Sequence, residues 1–164
     1  MSLDALWSWL GDSELAFQIG ATWWFPLLES IHVLSITFLI GAIMMVDFRL
    51  LGWTASIYRL NVITRELTPW AWAALVPAVI TGAGLFISRP AAYAANPAFQ
   101  IKMGLLIIAG VNVFIFHRLL QNPAAIPDGP DGEKPALSVQ CAGALSLLLW
   151  LGVILTGRWV GHIN

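Results

Sequence analysis

Long apolar runs separated by short polar ones set the plan of this chain. The first run, Trp23 to Val46, opens with TWWFP and closes at DFRLLG, which puts Pro26 in a first helical turn and the tryptophans at a membrane interface. The segment after it, LLGWTASIYRLNVITRELTP, is too charged to cross a bilayer. Ile57, Leu60 and Ile63 recur in it at helical spacing and predict a short surface helix. A second span is predicted over about 69–88, kinked at Pro77 and able to approach a neighbour closely through Thr81-Gly82-Ala83-Gly84. RPAAYAANP breaks the pattern, a third span covers about 99–120, NPAAIPDGPDGEKP forms the most polar loop, and a fourth span covers about 137–160.

At the N-terminus, Leu3, Leu6, Trp7 and Leu10 share one helical face, with Asp4, Ser8 and Asp12 opposite. This predicts a short amphipathic helix lying on the membrane. The segment lacks the basic flank of a cleaved signal peptide and is expected to stay on the protein. The pattern as a whole predicts an all-α fold: an integral membrane four-helix bundle with a short amphipathic N-terminal helix, organised as a single domain over residues 1–164. No internal repeat divides it.

Composition sharpens this picture. Hydrophobic residues make up 59% of the 164 positions and charged residues 10%, with a mean hydropathy of +0.79, against about 25% charged residues in soluble domains. A net charge of −1 with scattered cations leaves no patch for phosphates and excludes nucleic acid. Cys141 is the single cysteine, so the chain forms no internal disulfide and no thiolate cluster. Arg49, Arg59, Arg65, Arg118 and Lys134 follow spans one and three, against Arg89, Lys102 and Arg158 on the other side. Both termini are therefore expected outside, which in a bacterial inner membrane is the periplasm.

Ionisable residues within spans are the places to look for function, because each is costly in hydrocarbon. Glu29 and His32 stand one turn apart, while Asp47 lies five turns beyond Glu29, about 27 Å away at 1.5 Å per residue. Two polar layers follow. The outer layer gathers Glu29, His32, Lys102, Arg158 and His162; the inner one gathers Asp47, Arg49, His117 and Arg118. Glu29 and His32 form a Glu-x-x-His pair, as in carboxylate metal sites, but the further carboxylates of a di-metal centre are missing. For haem, His32 and His117 differ in depth by more than about 10 Å, whereas His32 and His162 share a side. A helix-packing role for His32, bonded to Glu29 or a backbone carbonyl, stands beside the ligand reading. Lys102 and Arg158 are candidates for an anion such as a carboxylate or haem propionate, or for snorkelling to the interface. Trp150, near the middle of span four, needs a partner for its indole N–H and is a candidate pocket or core residue. Asn112 is expected to bond across helices. Gly-rich phosphate loops, nucleophile elbows and HExxH are all absent.

The strings FPLLESIHVLSITFLIGAIMMVDFRLLG, NPAFQIKMGLLIIAGVNVFIFHR and SLLLWLGVILTGRW resemble an uncharacterised family of small four-span bacterial inner-membrane proteins. That family is distantly similar in architecture to copper-resistance membrane proteins and four-helix b-type cytochromes. The resemblance implies haem b, a transition metal or quinone chemistry, with a membrane or periplasmic redox partner. The leading expectation is a redox or metal-handling protein in which His32 is the ligand, Glu29 orients or neutralises it, and Lys102 and Arg158 compensate anionic groups. The alternatives are a non-catalytic subunit or scaffold in a homo- or hetero-oligomer, and a small transporter with Glu29 and His32 as a proton relay.

Overall fold

A computed structural model describes residues 3–54, 60–120 and 136–162. Among the described residues the chain is helical throughout: α1 (Leu3–Gly11), α2 (Glu14–Ala21), α3 (Trp24–Leu50), α4 (Leu60–Ser88), α5 (Pro90–Ala95), α6 (Pro97–Leu120) and α7 (Leu137–Val160). Four of these, α3, α4, α6 and α7, are long and apolar enough to cross a membrane. Ile57 of the expected surface helix lies outside the described residues, as does the polar loop before α7.

The fourfold plan agrees with the hydropathy pattern, and the differences are local. The charged stretch before Pro69 belongs to α4 itself, which runs unbroken from Leu60 with Pro69 and Pro77 inside it. Proline deprives the carbonyl four residues back of its N–H donor. For Pro69 that carbonyl belongs to Arg65 and for Pro77 to Ala73, both exposed residues on the outside of the bundle. Two short helices are additional. In α2 the Ser13 hydroxyl accepts from the Ala16 amide at 3.2 Å, a side-chain N-cap. The short α5 begins with Pro90 in its first turn.

Helix α3 packs most extensively on α4 and α6 on α7, and the contact of α3 with α7 joins the two pairs. Small residues set the close approaches. A Cβ on Gly84 would stand 2.9 Å from Leu28 Cδ1, one on Gly152 3.0 Å from Leu105 Cδ1, and one on Gly143 2.8 Å from Leu50 Cβ. The middle of the bundle is apolar: Leu39, Ile40, Ala74, Ala109, Leu149, Trp150 and Val153 form one buried cluster contributed by all four long helices. A second cluster, Leu50, Ile63, Phe116 and Val139, lies at the far end. Leu34, Phe38, Val76, Ile80, Ile107, Val111, Leu148 and Leu155 stay exposed around the outside, where a bilayer would cover them.

Helices α1 and α2 cover the end of the bundle at which α3 begins and α4 ends. Trp7 meets Phe86 edge to face at 5.5 Å, and Phe86 stacks on Phe99 at 5.4 Å, with Tyr93 beside both. Leu3, Trp9, Leu15 and Phe17 are exposed, as befits a segment resting in an interface. Trp7→Ala removes the edge-to-face pair, worth about 0.5–1.5 kcal/mol beyond its area. Limited proteolysis is expected to cut this variant faster within residues 3–21, with the core spans unaffected.

Candidate functional site

The His32 layer is built from α3, α4, α6 and α7. Helix α3 presents His32 to α4, where its Nδ1 lies 2.9 Å from the Ala78 carbonyl and 3.0 Å from Thr81 Oγ1. The Thr81 hydroxyl donates to the Pro77 carbonyl at 2.6 Å. A carbonyl can only accept, and the threonine proton is already committed, so Nδ1 carries the hydrogen and shares it between Ala78 and Thr81. In the neutral ring the lone pair is then on Nε2. The ring edge rests on Gly82, where a Cβ would stand 2.9 Å from Cε1. Glycine at that position is what lets the imidazole approach α4 so closely.

Lys102 reaches the same layer from α6. Its Cδ, Cε and Nζ run alongside Gly157 of α7, each 3.8 Å from where a Cβ would be, and its charge acts on the His32 ring. Two basic groups therefore share this layer within electrostatic reach of each other. Among the described residues no carboxylate pairs with Lys102. The expected acidic partner does not enter: Glu29 is exposed, and its charge is felt by Tyr93. Arg158 and His162 are exposed as well, beyond Lys102 at the end of α7. The structure thus places His32 and Lys102 in one layer, and leaves Glu29, Arg158 and His162 exposed. Tyr93 lies in α5, outside the spans; burial pushes its phenol above the ordinary value, Arg89 opposes this, and Glu29 adds to it.

The same end contains a residue whose role composition does not signal. Asn96 is buried between α5 and α6, its Oδ1 accepting from the amides of Ala98 at 2.9 Å and Phe99 at 3.2 Å. Its Nδ2 donates to the Val160 carbonyl at 3.1 Å. One side chain therefore caps α6 and ties it to the end of α7.

The Asp47 layer is different. Asp47 is 3% exposed, and the Ser146 hydroxyl of α7 hydrogen-bonds its carboxyl, while Oδ2 has no partner among the described residues. Arg49 is buried in the same turn. Asn112 donates to the Ala142 carbonyl at 3.3 Å, binding α6 to α7. Arg118 is exposed, with its guanidinium 5.0 Å from the centre of the Phe114 ring. His117 belongs to α6, and its side chain lies outside the described ones. Trp150 belongs to neither layer. It is buried in the apolar middle, and its Nε1 has no hydrogen-bond partner among the described residues.

Residues 8–163 match a family described as of unknown function, DUF6644. The chain belongs to the DUF6644 family. No curated protein and no solved structure matches it. Within this DUF6644 chain, no three His, Cys, Asp or Glu side chains converge on a point among the described residues. A metal or haem iron would be held by His32 Nε2 with ligands from elsewhere, because Glu29 stands at the rim and His162 is exposed beyond α7. The pairing of His32 with a second histidine is not formed by the side chains described.

Proposed function

We propose that this is a membrane redox or metal-handling protein that binds haem or a metal ion in the His32 layer. The observation that carries the reading is the state of the His32 ring: Nδ1 is anchored on Ala78 and Thr81 of α4, leaving Nε2 as the nitrogen with a lone pair to offer. Ligating histidines are held in this way, with the second nitrogen donating to a carbonyl or carboxylate that fixes the tautomer and the ring plane. Lys102, which has no carboxylate partner among the described residues, supplies a positive charge for an anionic ligand or a propionate. Haem or a transition metal bound there would bring one-electron chemistry. The protein's part is to orient the imidazole through Thr81 and Ala78 and to balance charge through Lys102, with Glu29 and Arg158 at the rim, where a quinone or a membrane or periplasmic redox partner of a bacterial inner membrane would arrive.

Absorption spectra of the purified protein, oxidised and dithionite-reduced, together with metal analysis of the same sample, test this. Wild type is expected to show a Soret band with reduced α and β bands, or stoichiometric metal. His32→Ala is expected to lose that signal while its helical circular dichroism persists. Full cofactor content in His32→Ala would sink the assignment. A colourless, metal-free wild type that extracts with a constant partner would replace it with the scaffold reading, in which the bond from His32 to Ala78 serves only to lock α3 on α4.

A further inference from the structure

Fifteen residues beyond His32, roughly 22 Å along α3 at 1.5 Å per residue, Asp47 presents a second and unrelated chemistry. Its carboxyl is enclosed between α3 and α7, at the point where Gly143 lets the helices close: a Cβ there would stand 3.2 Å from the Asp47 backbone oxygen. That backbone oxygen accepts from the Leu51 amide at 2.9 Å. Among the described residues the side chain receives one hydrogen bond, from Ser146, and its other oxygen is buried without a partner.

A buried carboxylate is stabilised by cations or by several donors together. Among the described residues, the Ser146 hydroxyl is the hydrogen-bond donor to the Asp47 carboxyl. On α7, the residues facing it are Ser146 and Gly143, and Cys141 is exposed. On α4, Arg65 and Glu66 are exposed, with Ile63 and Thr64 buried beside them. On α6, Arg118 is exposed and rests on Phe114, and the His117 side chain is outside those described. On α3 itself, Arg49 is buried two residues further on, and the carboxyl is hydrogen-bonded by Ser146.

We infer that Asp47 is a proton-binding site of the membrane domain, a carboxyl that takes up one proton and returns it while hydrogen-bonded to Ser146. Uptake converts Asp47 Oδ2 from a carboxylate oxygen to a hydroxyl, with the proton supplied by solvent and returned to it, and no other bond is made or broken. The Ser146 hydroxyl donates to Oδ1 in both forms, so the α3–α7 contact is kept through the cycle. This site is independent of the reading given to His32 and stands whether or not a cofactor is bound there.

Infrared difference spectroscopy on the full-length protein in lipid films tests the site directly. Wild type minus Asp47→Asn is expected to show a carboxylic acid C=O stretch above the amide I band. That band should move to lower frequency in D2O and be replaced by carboxylate stretches as the pH is raised from mildly acidic to alkaline. Asparagine keeps the shape and an acceptor for Ser146, so the variant should retain wild-type circular dichroism. Ser146→Ala removes the one donor to the anion, and its acid band should persist to higher pH than in wild type. A difference spectrum with only carboxylate bands throughout, or one with no carboxyl signal at all, would overturn the assignment and leave Asp47 as a helix-locking residue.

Discussion

Gly143→Val is expected to be the most destabilising single substitution in the membrane domain. Its new Cβ would lie 2.8 Å from Leu50 Cβ and 3.2 Å from the Asp47 carbonyl oxygen. Both neighbours are fixed by the backbone of α3, so relief requires α3 and α7 to move apart. Overpacking of this kind destabilises by about 1–3 kcal/mol, and valine, with two further methyl groups, belongs at the upper end. Denaturant or thermal unfolding in detergent should show a loss of about 3 kcal/mol, roughly a hundredfold in the folded ratio. Gly110→Val is the matched control, because a Cβ there meets nothing within 4 Å; it should change stability little. Equal losses in the two variants would mean that the α3–α7 crossing is not the constraint.

Asn96→Ala is expected to produce the second large effect. It removes the cap from the Ala98 and Phe99 amides and the tie to the Val160 carbonyl together. Loss of an N-cap oxygen alone is worth about 0.5–2 kcal/mol, and the Val160 carbonyl loses its side-chain donor in addition. The total should approach about 2–3 kcal/mol. Asn96→Asp keeps the capping oxygen and loses the amide donor, so it should recover about half of that loss. Hydrogen exchange locates the effect: the amides of Ala98 and Phe99 should exchange at least about tenfold faster in the alanine variant and remain protected in the aspartate one. Unchanged protection in Asn96→Ala would remove the residue from the joint between α5, α6 and α7.

The four spans were legible because hydropathy accumulates over about 20 residues and needs no knowledge of neighbours. The start of α4 was not. Arg65, Glu66 and Pro69 look like a break when the chain is read alone, yet an exposed first part of a helix can carry charges and an unpaired carbonyl without penalty. Helices α2 and α5 were missed for a related reason: at eight and six residues they are too short for a periodic signal, and the cap at Ser13 is the clearest mark of the first. The small-residue run around Gly82 did announce a close approach, and it receives the ring of His32. The partner of that ring was hidden, because a backbone carbonyl such as that of Ala78 has no signature in residue type. The outer cluster was grouped by depth alone. Depth groups Lys102 with His32 in one layer, but rotation about the helix axis decides which side chains turn inward, and it leaves Glu29 and Arg158 outside. Asn112 was readable, since a mid-span amide has to bond to a neighbouring helix.

The apolar middle, where Leu39, Ile40, Ala109, Leu149, Trp150 and Val153 meet, also has an electrical meaning. Matter of low polarisability carries most of a voltage applied across it, whereas polar layers near water take the potential of the adjoining solution. Lys102 and Asp47 are then terminals on opposite plates of a capacitor. Transfer of one elementary charge between them under a membrane potential changes the energy by up to about 2.3 kcal/mol per 100 mV. A charge gained or lost within either layer alone senses only a small part of that. In a membrane, most of the voltage would fall across that apolar middle, between the layer of Lys102 and the layer of Asp47.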